Sequence, residues 1–252
     1  MVRMKRASIA TAASALLLTA LVPAAATAKV IELGATASPL VPPTCPPGVT
    51  PANCTIVLTG VTALATVRDG HAYPTTVTQP GYIVAFTLGL SGLSTDRAAA
   101  RNDIHLLNSN YGGATRARIT VLKPVGKARL RTWAVTAQSP IFRLQPYLGQ
   151  VVQFPLPVAL PVTRGETVAL TVPTWAPVLS ISLPTKKFAY RQSRLASTIC
   201  TSPSITDQTQ SRIGKTAIYG CNYPGTRVEY SATEVTTPPI PKNYVRAGDR
   251  GK

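Results

Sequence analysis

The stretch Thr115 to Ala137, TRARITVLKPVGKARLRTWAVTA, constrains the fold more than any other part of the chain. Its side chains alternate, the pattern of strands with one face buried. Ala117, Ile119 and Val121 share one face, and Arg116, Arg118 and Thr120 share the other. Past Lys123-Pro-Val-Gly126, Ala128, Leu130 and Ala134 point one way, and Lys127, Arg129, Arg131 and Trp133 point the other. A loop at Lys123–Gly126 sets Ile119 opposite Leu130, Val121 opposite Ala128, Arg118 opposite Arg131 and Arg116 opposite Trp133. A slip of one residue would put the arginines among apolar side chains, so the pattern specifies its own register. The expectation is a hairpin with one apolar face and one cationic face that carries a tryptophan.

Further strands are read on both sides of this hairpin. Thr55 to Val67 is strand-like with a bend at Gly60, and Arg68-Asp-Gly-His71 is turn chemistry. Tyr82 to Leu90, YIVAFTLGL, is short, apolar almost throughout and flanked by Pro and Gly, as a buried central strand is. Ser91 to Gly113 holds one short helix, capped by Thr95 or Asp96 and ended by a glycine pair. Gly149 to Leu156 reads as a strand, Leu160 to Val172 as a hairpin turning at Arg164-Gly165, and Arg227 to Val235 as a closing strand. Pro155, Pro157, Pro161, Pro173 and Pro177 belong on strand ends or edges, where a missing amide donor does least harm. With no alternation of helix and strand, the fold class is all-β. The architecture expected is an antiparallel two-sheet sandwich of jelly-roll type, with one short helix and two disulfide-stapled loops.

Residues 1–28 have the form of a secretory signal peptide. Arg3, Lys5 and Arg6 make a basic start, Ser8 to Val22 an apolar run, and Ala26-Thr27-Ala28 a cleavage site. Residues 29–54 form a Pro-rich lead-in with a short disulfide loop, 55–236 the sandwich domain, and 237–252 a basic flexible tail. No later stretch is apolar enough for long enough to cross a bilayer. Secretion in turn makes the four cysteines candidates for disulfides, with Cys45–Cys54 and Cys200–Cys221 favoured among three connectivities. Losing Arg3, Lys5 and Arg6 lowers the net charge from +17 to +14. Such an excess attracts anionic polymers in general, without specifying a nucleic acid; solubility in salty surroundings is the plainer use of it.

Reactive chemistry is thinly represented. The two histidines, His71 and His105, and the nine carboxylates are spread along the chain, with no metal-ligand cluster and no cofactor motif. Asp103 and His105 share a side only if that segment is a strand. Gly89-Leu-Ser-Gly92 lacks the spacing of a nucleophile elbow. Glu166, Glu229 and Glu234 are the glutamates in the body of the domain, and nothing in their spacing pairs two of them as a glycosidase needs. Neither a catalytic nor a metal site is assigned. The candidate ligand-binding residues are Arg116, Arg118, Lys127, Arg129, Arg131 and Trp133, with a cation–π contact expected between Arg116 and Trp133.

Several stretches together resemble a group of uncharacterised secreted bacterial β-sandwich proteins. They are Cys54-Thr55, Tyr82 to Leu90, Ala117 to Pro124, Ala137-Gln-Ser-Pro140, Leu144 to Tyr147, Leu160 to Glu166, Val168 to Pro177 and Tyr219-Gly-Cys221. The resemblance covers about residues 54–236 and implies the fold, but it brings no activity and no functional residues. The turn at Arg164-Gly165 is also similar to that of jelly-roll carbohydrate-binding modules. The function expected is non-catalytic binding of an anionic polymer or glycan, at the cell envelope or outside the cell. A structural or adhesive surface component and an extracellular hydrolase are the alternatives.

Overall fold

Leu58 to Arg68 and Gly81 to Gly89 both form long strands, and they lie in different sheets. A computed structural model describes residues 27–49, 54–127, 131–193 and 209–238, and Ala28–Pro238 make up one compact unit. In chain order come β1 (Val30–Leu33), β2 (Leu58–Arg68), β3 (His71–Ala72), β4 (Gly81–Gly89) and the helix α1 (Arg97–Asn110). Next are β5 (Arg116–Val125), β6 (Thr132–Gln138), β7 (Phe142–Arg143), β8 (Val151–Val162), β9 (Thr167–Ala176) and β10 (Leu179–Ser180). The last are β11 (Phe188–Gln192), β12 (Thr216–Ile218), β13 (Asn222–Pro224), β14 (Arg227–Val228) and β15 (Tyr230–Thr236).

The smaller sheet has the order β1-β15-β4-β8. The larger runs β12-β6-β5-β9-β2-β11-β13, with β3 added to β2 and β7 to β5, and β10 pairs with β14 separately. Both sheets are antiparallel. One core is drawn from the two: Ile83, Phe86, Leu88, Phe154 and Ala232 come from the smaller sheet, and Ala63, Ile119, Val121, Leu170 and Val172 from the larger. Tyr230 ties the sheets together, its hydroxyl donating to Val168 O (3.0 Å) and accepting from Ala65 N (3.2 Å).

Local sequence chemistry accounts for most boundaries. Gly60, at φ +58°, sits in the register shift between Thr59 and Val61, and it is the bend expected in β2. Asp69 and Gly70 are both at positive φ and close a two-residue hairpin between β2 and β3. Asp96 caps α1, accepting from Ala99 N at 2.7 Å. Pro155, Pro157 and Pro161 all lie on β8, an edge of the smaller sheet, and Pro177 follows the end of β9. Pro173, however, lies inside β9, a central strand, at the register shift with β2 and beyond the β5 pairing that ends at Thr171. Trp175 is fully buried, its indole N–H donating to Asn108 Oδ1 and to Gly113 O.

Two expectations are corrected. First, the β5–β6 hairpin exists, but its turn comes later than expected: β5 continues through Lys123-Pro124-Val125. Val121 therefore faces Ala137, Leu122 faces Val135 and Pro124 faces Trp133. Pro124 sits where its missing N–H breaks no rung needed for β9 pairing, which ends at Leu122. Second, the turn at Arg164-Gly165 joins strands of different sheets, since β8 pairs with β4 while β9 pairs with β5 and β2. It is a crossing between sheets, not a hairpin. The Pro-rich lead-in packs on the strands. Its first residues form β1 on β15, and the Ser38 and Val41 backbone meets the side chains of Arg227 and Glu229.

Cys45 and Cys54 are bonded as expected. Cys200 lies outside the described residues, as do residues 1–26, Arg129, Leu130 and the tail from 239 onward. Among the described residues no helix is long and apolar enough to cross a membrane.

Candidate ligand-binding cleft

The end of the β5–β6 hairpin and the chain that follows β3 enclose a cleft of about 330 Å³. Its walls include Tyr73, Pro124, Lys127, Arg131, Trp133 and Gly165. One wall is fixed by backbone: Thr76 bridges Thr167, Val77 N donates to Glu166 O, and Gly165 N donates to Val77 O. The other is fixed from the far side of β6. Ala217 of β12 pairs with Trp133, Gln210 Nε2 donates to Trp133 O at 3.0 Å, and Tyr219 N donates to Arg131 O at 2.9 Å.

Two aromatic rings form the inner corner. Tyr73 and Trp133 have centroids 6.2 Å apart and planes inclined by 37°. Trp133 rests partly buried on a second apolar cluster, made of Leu64, Leu122, Val135, Ala169, Ala217 and Tyr219, on the outer face of the larger sheet. Tyr73 and Arg131 both hold positive φ, +46° and +48°. Such backbone costs about 1–3 kcal/mol per residue and persists where the surroundings over-determine it, often at functional sites.

The charge at this corner is uncompensated. Lys127 and Arg131 are exposed, and among the described residues lining the cleft there is no carboxylate. Glu166, next to Gly165, turns its Oε2 to Thr163 N at 2.7 Å. Arg191 stands behind the corner, half-buried, its guanidinium donating to Gly220 O (2.6 Å) and Tyr219 O (3.2 Å). Burial and then the charge of Arg131 lower its pKa, with Tyr73 acting the other way.

The structure thus gathers three of the six candidate residues, Lys127, Arg131 and Trp133, and separates two. Arg116 faces Arg143 of β7 and lies eight residues along β5 from Pro124, about 26 Å from the Trp133 rung. The expected Arg116–Trp133 contact is therefore replaced by a Tyr73–Trp133 pair. Arg118 is half-buried, donates to Ser211 O at 3.1 Å, and has its pKa lowered by burial. Arg129 lies outside the described residues. Tyr73 and Thr76 on the cleft wall, and Arg191 behind it, were not foreseen, because they come from the chain after β3 and from β11 and share no local pattern with the hairpin.

The glutamates lie elsewhere. Glu229 is buried, ion-paired with Arg227 (3.2 Å) and bonded to Ser180 Oγ (2.6 Å). Burial raises its pKa, and Arg227 and Ser180 oppose the rise. Glu234 is also buried, with neither oxygen hydrogen-bonded and its pKa raised by burial. Among the described residues no three of His, Cys, Asp and Glu gather as a metal site would require. No family model, no curated protein and no solved structure matches the chain.

Proposed function

We propose that this chain is a secreted, non-catalytic binding protein that holds an anionic or glycan partner at the cell envelope or outside the cell. The observation that carries this reading is the Tyr73–Trp133 corner beside Lys127 and Arg131. Apolar walls with a few convergent polar groups are how small-ligand clefts are built. The Cys45–Cys54 bridge is compatible with an oxidising compartment, and the form of residues 1–28 supports export through a cleaved signal peptide. In this reading Cys200 and Cys221 make the second staple. The two sheets form a sandwich of jelly-roll type, a form supported by the chain's passage between sheets from β2 to β4, β4 to β5 and β8 to β9.

The test is binding of the mature protein to a panel of glycans and polyanions at low and physiological salt. Retention of one glycan at physiological salt is expected. Its affinity should fall at least tenfold, about 1.4 kcal/mol, in Trp133→Ala. Binding to every polyanion that fades with salt would reduce the cleft to a non-specific charged surface. Self-association with no soluble ligand would point instead to a structural surface component.

A further inference from the structure

Resting on the binding reading above, we infer that the Tyr73–Trp133 cleft recognises a single negatively charged sugar ring, with the ring against Trp133 and its carboxylate at Arg131 and Lys127. Size comes first. At about 330 Å³ the cleft lies at the lower end of the roughly 300–1,000 Å³ typical of small-ligand sites. That suits one ring with its substituents rather than a length of polymer.

Shape separates a sugar from a nucleic acid. Proteins that hold single strands space aromatic platforms along a basic groove, so that successive bases stack while the backbone is tracked. Here the two rings are 6.2 Å apart and inclined by 37°. They pack on each other and offer a ligand one aromatic corner, and among the described residues lining the cleft no second platform continues the row. The electron-rich face of an indole attracts the slightly positive C–H face of a pyranose, and its edges leave the sugar hydroxyls free.

Charge makes the ligand anionic. Arg131 and Lys127 line the cleft with no acidic residue among its described lining, while Arg191 stands behind and repels Arg131. Among the described residues the one ion pair is Arg227–Glu229, elsewhere in the fold. A carboxylate between Arg131 and Lys127 would relieve this repulsion, and a planar guanidinium meets a carboxylate through paired hydrogen bonds. The left-handed backbone at Tyr73 and Arg131 sets the direction in which both side chains leave the chain. The contact with Trp133 holds the Tyr73 ring in place, which lowers the ordering cost of binding on the aromatic side.

Trp133 supplies the readout. Trp175 is fully buried, so a change in indole fluorescence on binding reports Trp133. The mature protein is titrated with galacturonic acid, its linear trimer, galactose, inorganic polyphosphate and a thymidine oligonucleotide. The expectation is a fluorescence change with the uronate monomer and trimer, their affinities within about tenfold of each other, and affinity for galactose lower by about tenfold or more. Arg131→Gln and Lys127→Gln, both at exposed positions, should each weaken uronate binding about threefold to tenfold without lowering the melting temperature. Galactose binding as well as galacturonic acid would overturn the charge assignment while leaving a glycan-binding protein. A trimer favoured more than a hundredfold would overturn the single ring. Binding of the oligonucleotide or polyphosphate more tightly than uronate would overturn the sugar. No change with any of the five would overturn both this inference and the reading beneath it.

Discussion

The hydroxyls of Thr120 and Thr171 lie 2.6 Å apart on neighbouring strands, and neither residue has any exposed surface. Thr171 also meets Thr62 at 2.8 Å. The row is closed at one end by Gln138 Nε2 on Thr120 and at the other by Gln210 N on Thr62. It crosses β5, β9 and β2 on the outer face of the larger sheet. Thr171→Val keeps the shape but leaves both neighbouring hydroxyls short of a partner, so it should cost about 1–3 kcal/mol. Urea unfolding measures the loss, and Thr171→Ser should recover most of it. An unchanged midpoint in Thr171→Val would mean that water reaches the row.

The same row shows how far the sequence could be read. Alternation correctly sent Ala117, Ile119 and Val121 inward. It marked Arg116, Arg118 and Thr120 as the opposite face, and that is also right. What alternation does not encode is whether a face meets water. Gln210 and Tyr219 come from a polar stretch with few large apolar residues, yet both are buried, and Tyr219 joins the cluster over Leu122 and Val135. The lead-in does the same on the other side. Arg227, Glu229 and Ser231 alternate in sequence with the core residues Val228, Tyr230 and Ala232, but they are buried too. Coverage of this kind depends on contacts between residues far apart in the chain. For the same reason Trp133 was legible as a candidate and its partner Tyr73 was not. The hairpin register failed for a different cause: Lys123-Pro-Val-Gly126 has turn chemistry, but the strand passes through Pro124 before it turns.

Gly89 gives a direct test of how firmly the lead-in is seated. A Cβ there would come within 2.1 Å of Val41 O and 2.8 Å of its carbonyl carbon. Gly89→Ala must therefore displace the lead-in or bend β4, at about 1–3 kcal/mol or more. Gly60→Ala is the contrast, because nothing lies within 4 Å of its Cβ and only its φ of +58° is unfavourable. It should cost about 1–2 kcal/mol, from backbone strain alone. Limited proteolysis separates the two: Gly89→Ala should expose the segment before Cys45 to cleavage, and Gly60→Ala should not. Equal protection in both variants would show that the lead-in can shift without leaving β4.

The Cys45–Cys54 bridge closes a short loop. In the chain-entropy account, a loop of this size contributes about 2–3 kcal/mol by limiting the unfolded chain. Replacing both cysteines with alanine should lower the unfolding free energy by about that amount. Strand pairing should survive, because β1 and the Ser38 and Val41 contacts hold the lead-in independently. Circular dichroism during urea unfolding tests this, and loss of the β signal in the absence of urea would contradict it.

Asp69 links stability to pH. It sits in the β2–β3 turn and accepts from Ser38 N (2.9 Å) and Ser38 Oγ (2.7 Å). Desolvation pushes its pKa upward, but hydrogen bonds from Thr36 and Ser38, with the charge of Arg227, outweigh this and lower it from 3.8 to about 2. A folded pKa below the unfolded one means that the unfolded chain binds the proton first. The stabilisation is therefore present above pH 3.8 and is lost as the pH falls towards 2. Asp69→Asn is a clean probe, since asparagine tolerates the positive φ at this turn. The variant should unfold more easily than the parent at neutral pH and match it near pH 2, the gap closing across the window between those two pKa values. Glu229 acts with the opposite sign: burial raises its pKa, so the native state binds the proton first, and Glu229 favours folding more at acid pH than at neutral pH. Urea midpoints of the parent and Asp69→Asn from acid to neutral pH separate the two. A gap that stays constant across the window would mean that Asp69 is held by the geometry of its turn and not by its charge.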